Sequence, residues 1–447
     1  MQHRKFNYNS VQDVLAEAER LGVHLPMAAG TDALLKPLQV APGPRAGALT
    51  FANRMGIAPM EASDSLPDGS PSEYTFRRYT ELAESGVGLI WFEAVCVVPE
   101  GRSGSHQLMI TRKNVDAYKR LVAQVREAGQ KACGRSPYLI MQASHNGRYS
   151  NPNNSPAPLI MYRNPLCEKT RPASDSCVLS DDALKRVEEQ FGEGALLAKE
   201  AGFDAVDVKA CHGYLLSESF SAYERPGVYG GSFENRTRLF RNSISASQVH
   251  ESAGFSVTAR VNLYDGFPYP YGFGVEPGGG IAFSKREPVQ LVQQLYDQGI
   301  RFANLTMGNA YVTSHVMKAY DAGGPEPPEH AFESLATTIG AIGEVKRAVP
   351  QLVVWGSKPS YMRQFADLYA AGAVEEGLCD GMLFGRLAFA NPSFAKDVAE
   401  TGRIDQQRTC RGCGLCSGLI RVHKPTGCTV HNSDYRSLYK QYVKQES

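Results

Sequence analysis

Residues 204–236 read DAVDVKACHGYLLSESFSAYERPGVYGGSFENR. At the start, Ala205, Val206 and Val208 surround a lone Asp207, the pattern of a half-buried strand. The strand breaks at Cys211-His212-Gly213-Tyr214 into a turn and a long polar loop. Polar and ionisable residues crowded past the C-terminal end of a strand are where α/β barrels keep their chemistry. Working outward, similar short apolar runs occur at Arg54–Ala58, Gly88–Phe92, Tyr138–Met141, Ser256–Val261, Phe302–Thr306, Leu352–Trp355 and Gly381–Phe384, with Ala205–Lys209 among them. Amphipathic stretches separate them. Ser180–Ala201 is one, with Ser180 as N-cap and Asp181 and Asp182 suited to a helix N-terminus. Eight β-then-α units in succession predict an α/β fold, a (β/α)8 TIM barrel. A doubly wound sheet is the alternative, but the chain has no early GxGxxG.

The barrel is expected over residues 49–400, after an N-terminal helical extension (1–48) and before a cysteine-rich segment (401–447). The extension carries Val11, Val14, Leu15, Ala18 and Leu21 at helical spacing behind Ser10, then a Pro/Gly-rich connector from Lys36 to Gly47. A net charge of +1 over 447 residues, with both signs mixed, gives no electrostatic case for nucleic acid or a membrane surface. No apolar run approaches the ~20 residues of a spanning helix. The N-terminus lacks a secretory core, so a cytoplasmic location is expected. Of ten cysteines, four crowd between Cys410 and Cys428, which reads as a metal site rather than a disulfide framework.

Several positions carry chemistry. Trp355-Gly356-Ser357 and Leu383-Phe384-Gly385-Arg386 close the seventh and eighth strands, where barrels commonly hold phosphate. Gly356, Ser357 and Gly385 would offer backbone N–H groups and a hydroxyl, and Arg386 a charge-assisted donor. Arg260 is a charge inside an apolar strand, so it should meet a ligand or an internal carboxylate. The loops Asn146–Ser180 and Tyr264–Lys285 exceed what a connection needs, and the second is dense in aromatics; both are expected to be lids. Cys410-x2-Cys413-x2-Cys416-x11-Cys428 is a ligand set for an iron–sulfur cluster, with structural zinc as the alternative.

The turn at His212-Gly213-Tyr214 together with Tyr229-Gly230-Gly231-Ser232-Phe233-Glu234-Asn235-Arg236 resembles the old yellow enzyme family of flavin-dependent ene-reductases. The resemblance runs from about Leu35 to Cys428 and implies FMN at the barrel mouth. Gln142 would pair with the pyrimidine edge of the isoalloxazine, since one amide both donates and accepts. Arg260 would steady the reduced ring, and Pro59, Met60 and Ala94 would be contact residues. The family's proton donor falls on Tyr214. His212 falls where relatives bind the substrate's carbonyl. Lys209 is a departure, standing where many relatives carry a second histidine, and it suggests a carboxylate-bearing or otherwise different substrate. Glu61 is placed to look into the pocket without an assigned role.

The cysteine motif is similar to that of 2,4-dienoyl-CoA and enoate reductases, which read C-x2-C-x3-C-x11-C; one residue is missing here. That branch implies a [4Fe–4S] cluster. Its long members continue into an FAD- and NAD-binding region, and no such glycine fingerprint occurs in this sequence. Electrons are therefore expected from NAD(P)H directly or from an external electron-donor protein. The expected reaction is reduction of a C=C conjugated to a carbonyl, on a flat apolar substrate such as a steroid enone, a linear tetrapyrrole (bilirubin) or an aryl-acrylate. An oxidative amine dehydrogenase and an electron-transfer subunit are the alternatives, and self-association stays open.

Overall fold

The computed structural model describes residues 5–444. A short antiparallel hairpin, β1 (Leu38–Val40) and β2 (Leu49–Phe51), precedes eight parallel strands. These are β3 (Met55–Ile57), β4 (Leu89–Cys96), β5 (Tyr138–Ser144), β6 (Ala205–Val208), β7 (Ser256–Asn262), β8 (Phe302–Thr306), β9 (Val353–Gly356) and β10 (Gly381–Phe384). They close in chain order, with β10 pairing back onto β3. Each expected strand is present, and the barrel is the (β/α)8 fold read from the sequence. Strands β4 and β5 run four and three residues further than expected, because Ala94–Cys96 still pair with Gln142–Ser144.

The period-2 pleat assigns each side chain to a layer. On β5, Leu139, Met141 and Ala143 pack outward against the helices, while Ile140 turns into the barrel and Gln142 bonds to Asp207, its register neighbour on β6. On β6, Val206 and Val208 face outward, while Ala205 and Asp207 face inward. On β7, Val257, Ala259 and Val261 face outward, which gives Thr258, Arg260 and Asn262 the inward phase. Strand β4 departs from this alternation. Between Trp91 and Ala94 it carries one extra residue against β5. The bulge turns Glu93 toward the flanking helix, where Arg78 reaches it at 2.6 Å, and sets Ala94 in register with inward Gln142.

The hairpin lies partly within the Pro/Gly-rich stretch expected to be a mere connector. It plugs the barrel floor. Phe51 meets Tyr138, Phe302 and Trp355 edge-on at 5.2, 5.5 and 5.1 Å, and Leu38, Val40, Trp91, Ile140 and Leu383 complete this layer. Each such aromatic pair adds about 0.5–1.5 kcal/mol beyond its buried area.

Both expected helices form. Ser10 caps Val11–Arg20 in a capping box with Asp13, and Ser180 accepts from Ala183 N–H at 3.2 Å to start Asp181–Glu200. The two long loops are pinned rather than open. Arg148 donates to Glu218 at 2.6 Å and to the Tyr162 carbonyl at 2.7 Å in the first. Asp265 accepts from Phe273 N–H and Asn262 in the second, at 2.8 and 2.7 Å. Phe267 and Phe273 are buried, and Phe273 packs on Phe220 at 5.1 Å. Phe267 and Phe273 therefore serve packing, while Tyr269 in the same loop is 41% exposed. Among the described residues, no helix is long and apolar enough to cross a membrane.

Candidate active site

The inward positions at the C-terminal ends of the strands change from apolar to polar within one pleat. Asp207 is the hub of that layer. Its Oδ2 accepts from Trp91 Nε1 at 2.7 Å and Gln142 Nε2 at 2.6 Å, and its Oδ1 from Arg260 N–H at 2.6 Å. Burial pushes this carboxyl up to about 6 against those bonds. Gln142 thus spends one N–H on Asp207 and keeps its carbonyl and second N–H for another partner. The sequence held the signal for Asp207, a charge in an apolar strand, the same signal that marked Arg260.

Arg260 itself is 8% exposed, and its Nε is buried with no acceptor. Leaving a buried guanidinium donor unpaired is costly, so this arrangement suits an anionic or carbonyl-bearing ligand rather than an internal ion pair. Other cations stand close enough to act on the same groups. Burial, then Arg260, Lys209 and Lys358, hold His212 well below its ordinary value, so it is a neutral imidazole. Burial lowers Lys209 too, with Cys211 and Glu61 opposing. Lys358 was not singled out by sequence reasoning. It sits in a left-handed conformation (φ 75°), donates to Thr338 Oγ1 at 2.6 Å and to the Val316 carbonyl, and is brought down to about 7 by burial.

The three expected catalytic residues come together. Lys209 Nζ lies 4.0 Å from the centroid of the Tyr214 ring, a cation–π contact. His212 Nε2 is 3.3 Å from Thr306 Oγ1. The turn between His212 and Tyr214 requires glycine: Gly213 has φ 79°, and a Cβ there would stand 2.0 Å from Asn309 Nδ2. Tyr214 is 9% exposed, and burial raises its hydroxyl well above the usual tyrosine value. Tyr149 and Tyr311 meet it edge-on at 6.0 and 6.5 Å. Neither was foreseen, since they lie on loops without periodicity. Glu61 accepts a short hydrogen bond from Ser103, and burial raises it.

At the expected phosphate end, Ser357 Oγ donates to the Leu305 carbonyl and accepts from Asn304, both at 3.0 Å. Arg386 donates to the Ala319 carbonyl at 2.7 Å. A Cβ on Gly385 would press on Met60 Sδ at 2.7 Å, and one on Gly356 would meet Met382 and Cys379, so packing also selects these glycines. Pro59 follows Ala58, whose N–H donates to the Phe384 carbonyl at 2.9 Å.

The cysteine segment docks on the barrel. Thr426 N–H donates to the Ala62 carbonyl at 2.8 Å, Arg77 pairs with Asp434 at 2.6 Å, and Lys318 donates to Ser417 at 3.2 Å. Cys410, Cys413, Cys416 and Cys428 are free thiols. Among the described residues, no group of three or more Cys, His, Asp or Glu side chains is set to hold a metal ion. The four do share one neighbourhood: burial raises Cys416 and Cys428, and Cys410 and Cys413 add to both shifts. Four thiolate donors within electrostatic reach fit a cluster in donor chemistry, without a closed ligand geometry.

Residues 34–288 match the model of the NADH:flavin oxidoreductase / NADH oxidase family. An NADPH dehydrogenase of Bacillus licheniformis is 31% identical over 357 residues, covering 79% of this chain and 91% of that protein. An NADH oxidase of Thermoanaerobacter brockii is 25% identical over 412 residues, covering 90% of this chain but 57% of that protein. An NADPH dehydrogenase of Halalkalibacterium halodurans is 31% identical over 205 residues, 45% of this chain and 57% of that protein. Some of the curated relatives are thus matched over little more than half their length. Among solved structures, a 2-naphthoyl-CoA reductase complex superposes with TM-score 0.74 at 20% identity, over 92% of this chain and 58% of that one. The old yellow enzyme homologue of Zymomonas mobilis gives 0.62 at 20% identity, over 90% and 99%. These superpositions concern the fold.

Proposed function

Because this chain belongs to the NADH:flavin oxidoreductase / NADH oxidase family, we propose that it is an FMN-dependent ene-reductase acting on a C=C conjugated to a carbonyl. The observation that carries the reading is the buried, unpartnered Arg260 beside Lys209, His212 and Tyr214. Gln142, Arg260 and Ala94 would hold the flavin ring, with Pro59 and Met60 beside it. Ser357, Arg386 and the backbone at Gly356 and Gly385 would hold its phosphate. When bound and reduced, FMN supplies the hydride for the β-carbon.

The protein's own residues do the rest. Tyr214 keeps its proton at neutral pH, because burial disfavours the phenolate, and can deliver it to the α-carbon. Neutral His212 donates a hydrogen bond to the substrate carbonyl, and Lys209 places positive charge on the same side. Tyr149, Tyr214 and Tyr311 form aromatic walls that suit a flat apolar substrate: a steroid enone, a linear tetrapyrrole or an aryl-acrylate. The name of the naphthoyl-CoA reductase among the structural neighbours adds fused-ring aryl acyl groups to that class.

Cys410, Cys413, Cys416 and Cys428 would hold a [4Fe–4S] cluster, which would carry electrons one at a time from an external donor. NAD(P)H is the second electron source, and the setting is the cytoplasm. Anoxic purification with flavin and iron counts, repeated on Tyr214→Phe, tests the reading. FMN with about four irons per chain, and an enone turnover lowered at least ~10²-fold in the variant with FMN retained, is the expected result. Unchanged turnover in Tyr214→Phe sinks the proton-donor role; zinc in place of iron removes the electron relay and leaves the barrel chemistry.

A further inference from the structure

We infer that Asp207 is a positioning residue: its carboxylate holds the Gln142 amide in one orientation and so fixes the order of acceptor and donor shown to the flavin's pyrimidine edge. The inference rests on the reading of Gln142 as the partner of that edge.

Asp207 is fully buried, and burying a carboxylate is costly. As a tie between strands it is replaceable, since a neutral acceptor bonds without the charge. What an ionised carboxylate adds is that both its oxygens accept and neither donates. Trp91 Nε1 and Gln142 Nε2 point at Oδ2, at 2.7 and 2.6 Å, and the Arg260 N–H points at Oδ1, at 2.6 Å. An indole N–H and a backbone N–H are donors in any case. Gln142 is the one partner of the three with a choice. Turned over, its Oε1 would face Oδ2, oxygen against oxygen. Burial pushes the carboxyl up to about 6, so at neutral pH it is ionised and has no proton to place between them.

The amide therefore keeps Nε2 on Asp207 and leaves Oε1 and the second N–H for a ligand. The strands hold this arrangement in place. Trp91, Gln142, Asp207 and Arg260 stand on β4, β5, β6 and β7 in succession, and Gln142 and Asp207 are register neighbours. The pyrimidine edge of an oxidised flavin has one N–H, at N3, between two carbonyls. In the observed orientation Oε1 can accept from N3–H while the remaining amide N–H donates to a carbonyl. Reversed, the amide would set a donor against N3–H.

Substitution separates this role from simple support. An asparagine at 207 has one oxygen for three donors. With Trp91 also replaced by phenylalanine, one arrangement satisfies every group. The new amide gives its oxygen to the Arg260 N–H and its nitrogen to Gln142, which must turn over to accept.

The test follows the N3–H proton of FMN labelled at its nitrogens, by nitrogen-edited proton NMR on the full chain. FMN is kept saturating, so affinity does not enter. Wild type and Trp91→Phe, which keeps the carboxylate, are expected to show a downfield, slowly exchanging N3–H. Trp91→Phe combined with Asp207→Asn is expected to lose that signal, as is Gln142→Leu, and the double variant should bind FMN up to about tenfold more weakly. A wild-type signal in the double variant overturns the role of Asp207. Loss of the signal already in Trp91→Phe reports a general disturbance of the layer and overturns it as well. A wild-type signal in Gln142→Leu means that Gln142 is not the N3–H partner; the underlying reading has then failed, a result separable from the other two. If the double variant does not load FMN, Asp207→Asn alone replaces it. There either placement of the amide leaves two donors facing each other, so Gln142 takes both orientations and part of the signal should be lost; a full signal overturns the proposal. If neither loads FMN, Asp207 is a structural residue and the proposal falls.

Discussion

The floor and the mouth of the barrel are built from the same strands, one pleat apart, and they obey opposite rules. On the floor, Phe51, Trp91, Ile140, Phe302, Trp355 and Leu383 interlock with the hairpin, and the gain is burial. At the mouth, Asp207, Lys209 and His212 are buried as well, and burial works against each charge. Stepping from Ala205 to Asp207, or from Ile140 to Gln142, crosses the boundary. The contrast shows where stability is stored and where it is given up for chemistry.

Breaking the floor should have the largest effect. Phe51→Ala removes three edge-on aromatic contacts and leaves a cavity, and a loss of about 3–5 kcal/mol is expected in denaturant unfolding. A loss below about 1 kcal/mol would show that the hairpin is not the plug. Arg260→Gln addresses the mouth and should split the two properties. FMN binding, followed by fluorescence titration, should weaken about 10–100-fold, the worth of charged hydrogen bonds. The FMN-free protein should unfold at an unchanged or higher denaturant concentration, since an unpartnered buried charge is removed. A destabilised apoprotein would mean that Arg260 already has an internal acceptor.

The smallest effect concerns pH. His145, after β5, is buried and lowered to about 4, so the folded state keeps it neutral. Unfolded, it takes a proton near 6.5, so the unfolded chain binds more protons between these values. Stability from this site is complete above about 6.5 and is lost as pH falls toward 4. His145→Gln should therefore flatten the acid limb of a stability–pH curve by up to ~1.4 kcal/mol per pH unit. An identical slope in the variant would place the acid sensitivity elsewhere.

Much of this architecture was legible because alternation is local. Val206, Val208, Val257, Ala259 and Val261 announce outward faces, and each leaves its neighbours, Asp207, Thr258 and Arg260, to point inward. The hairpin was not legible: its strands are three residues each, too short to alternate, and Pro42, Gly43 and Pro44 dominate the text between them. The Tyr149–Tyr311–Tyr214 group was hidden for another reason. Its members lie far apart in the sequence, and the hydrogen bonds of Asn309 and the ring contacts among the three bring them together. Phe267 and Phe273, conspicuous in sequence, are drawn into packing, and the Asp265 carboxylate fastens the Phe273 backbone.

The bulge in β4 decides which side chain faces the barrel mouth. The surplus residue sets the reading frame of the strand's end: Glu93 goes to Arg78 and the Ala62 N–H outside, and small Ala94 goes inside. Paired without the bulge, the same residues would exchange the two, because a regular pleat puts Glu93, two residues after Trp91, opposite inward Gln142. A carboxylate would then enter the space proposed for the flavin, and Arg78 would lose one of its two buried partners. At this place the irregular strand is the one compatible with the site.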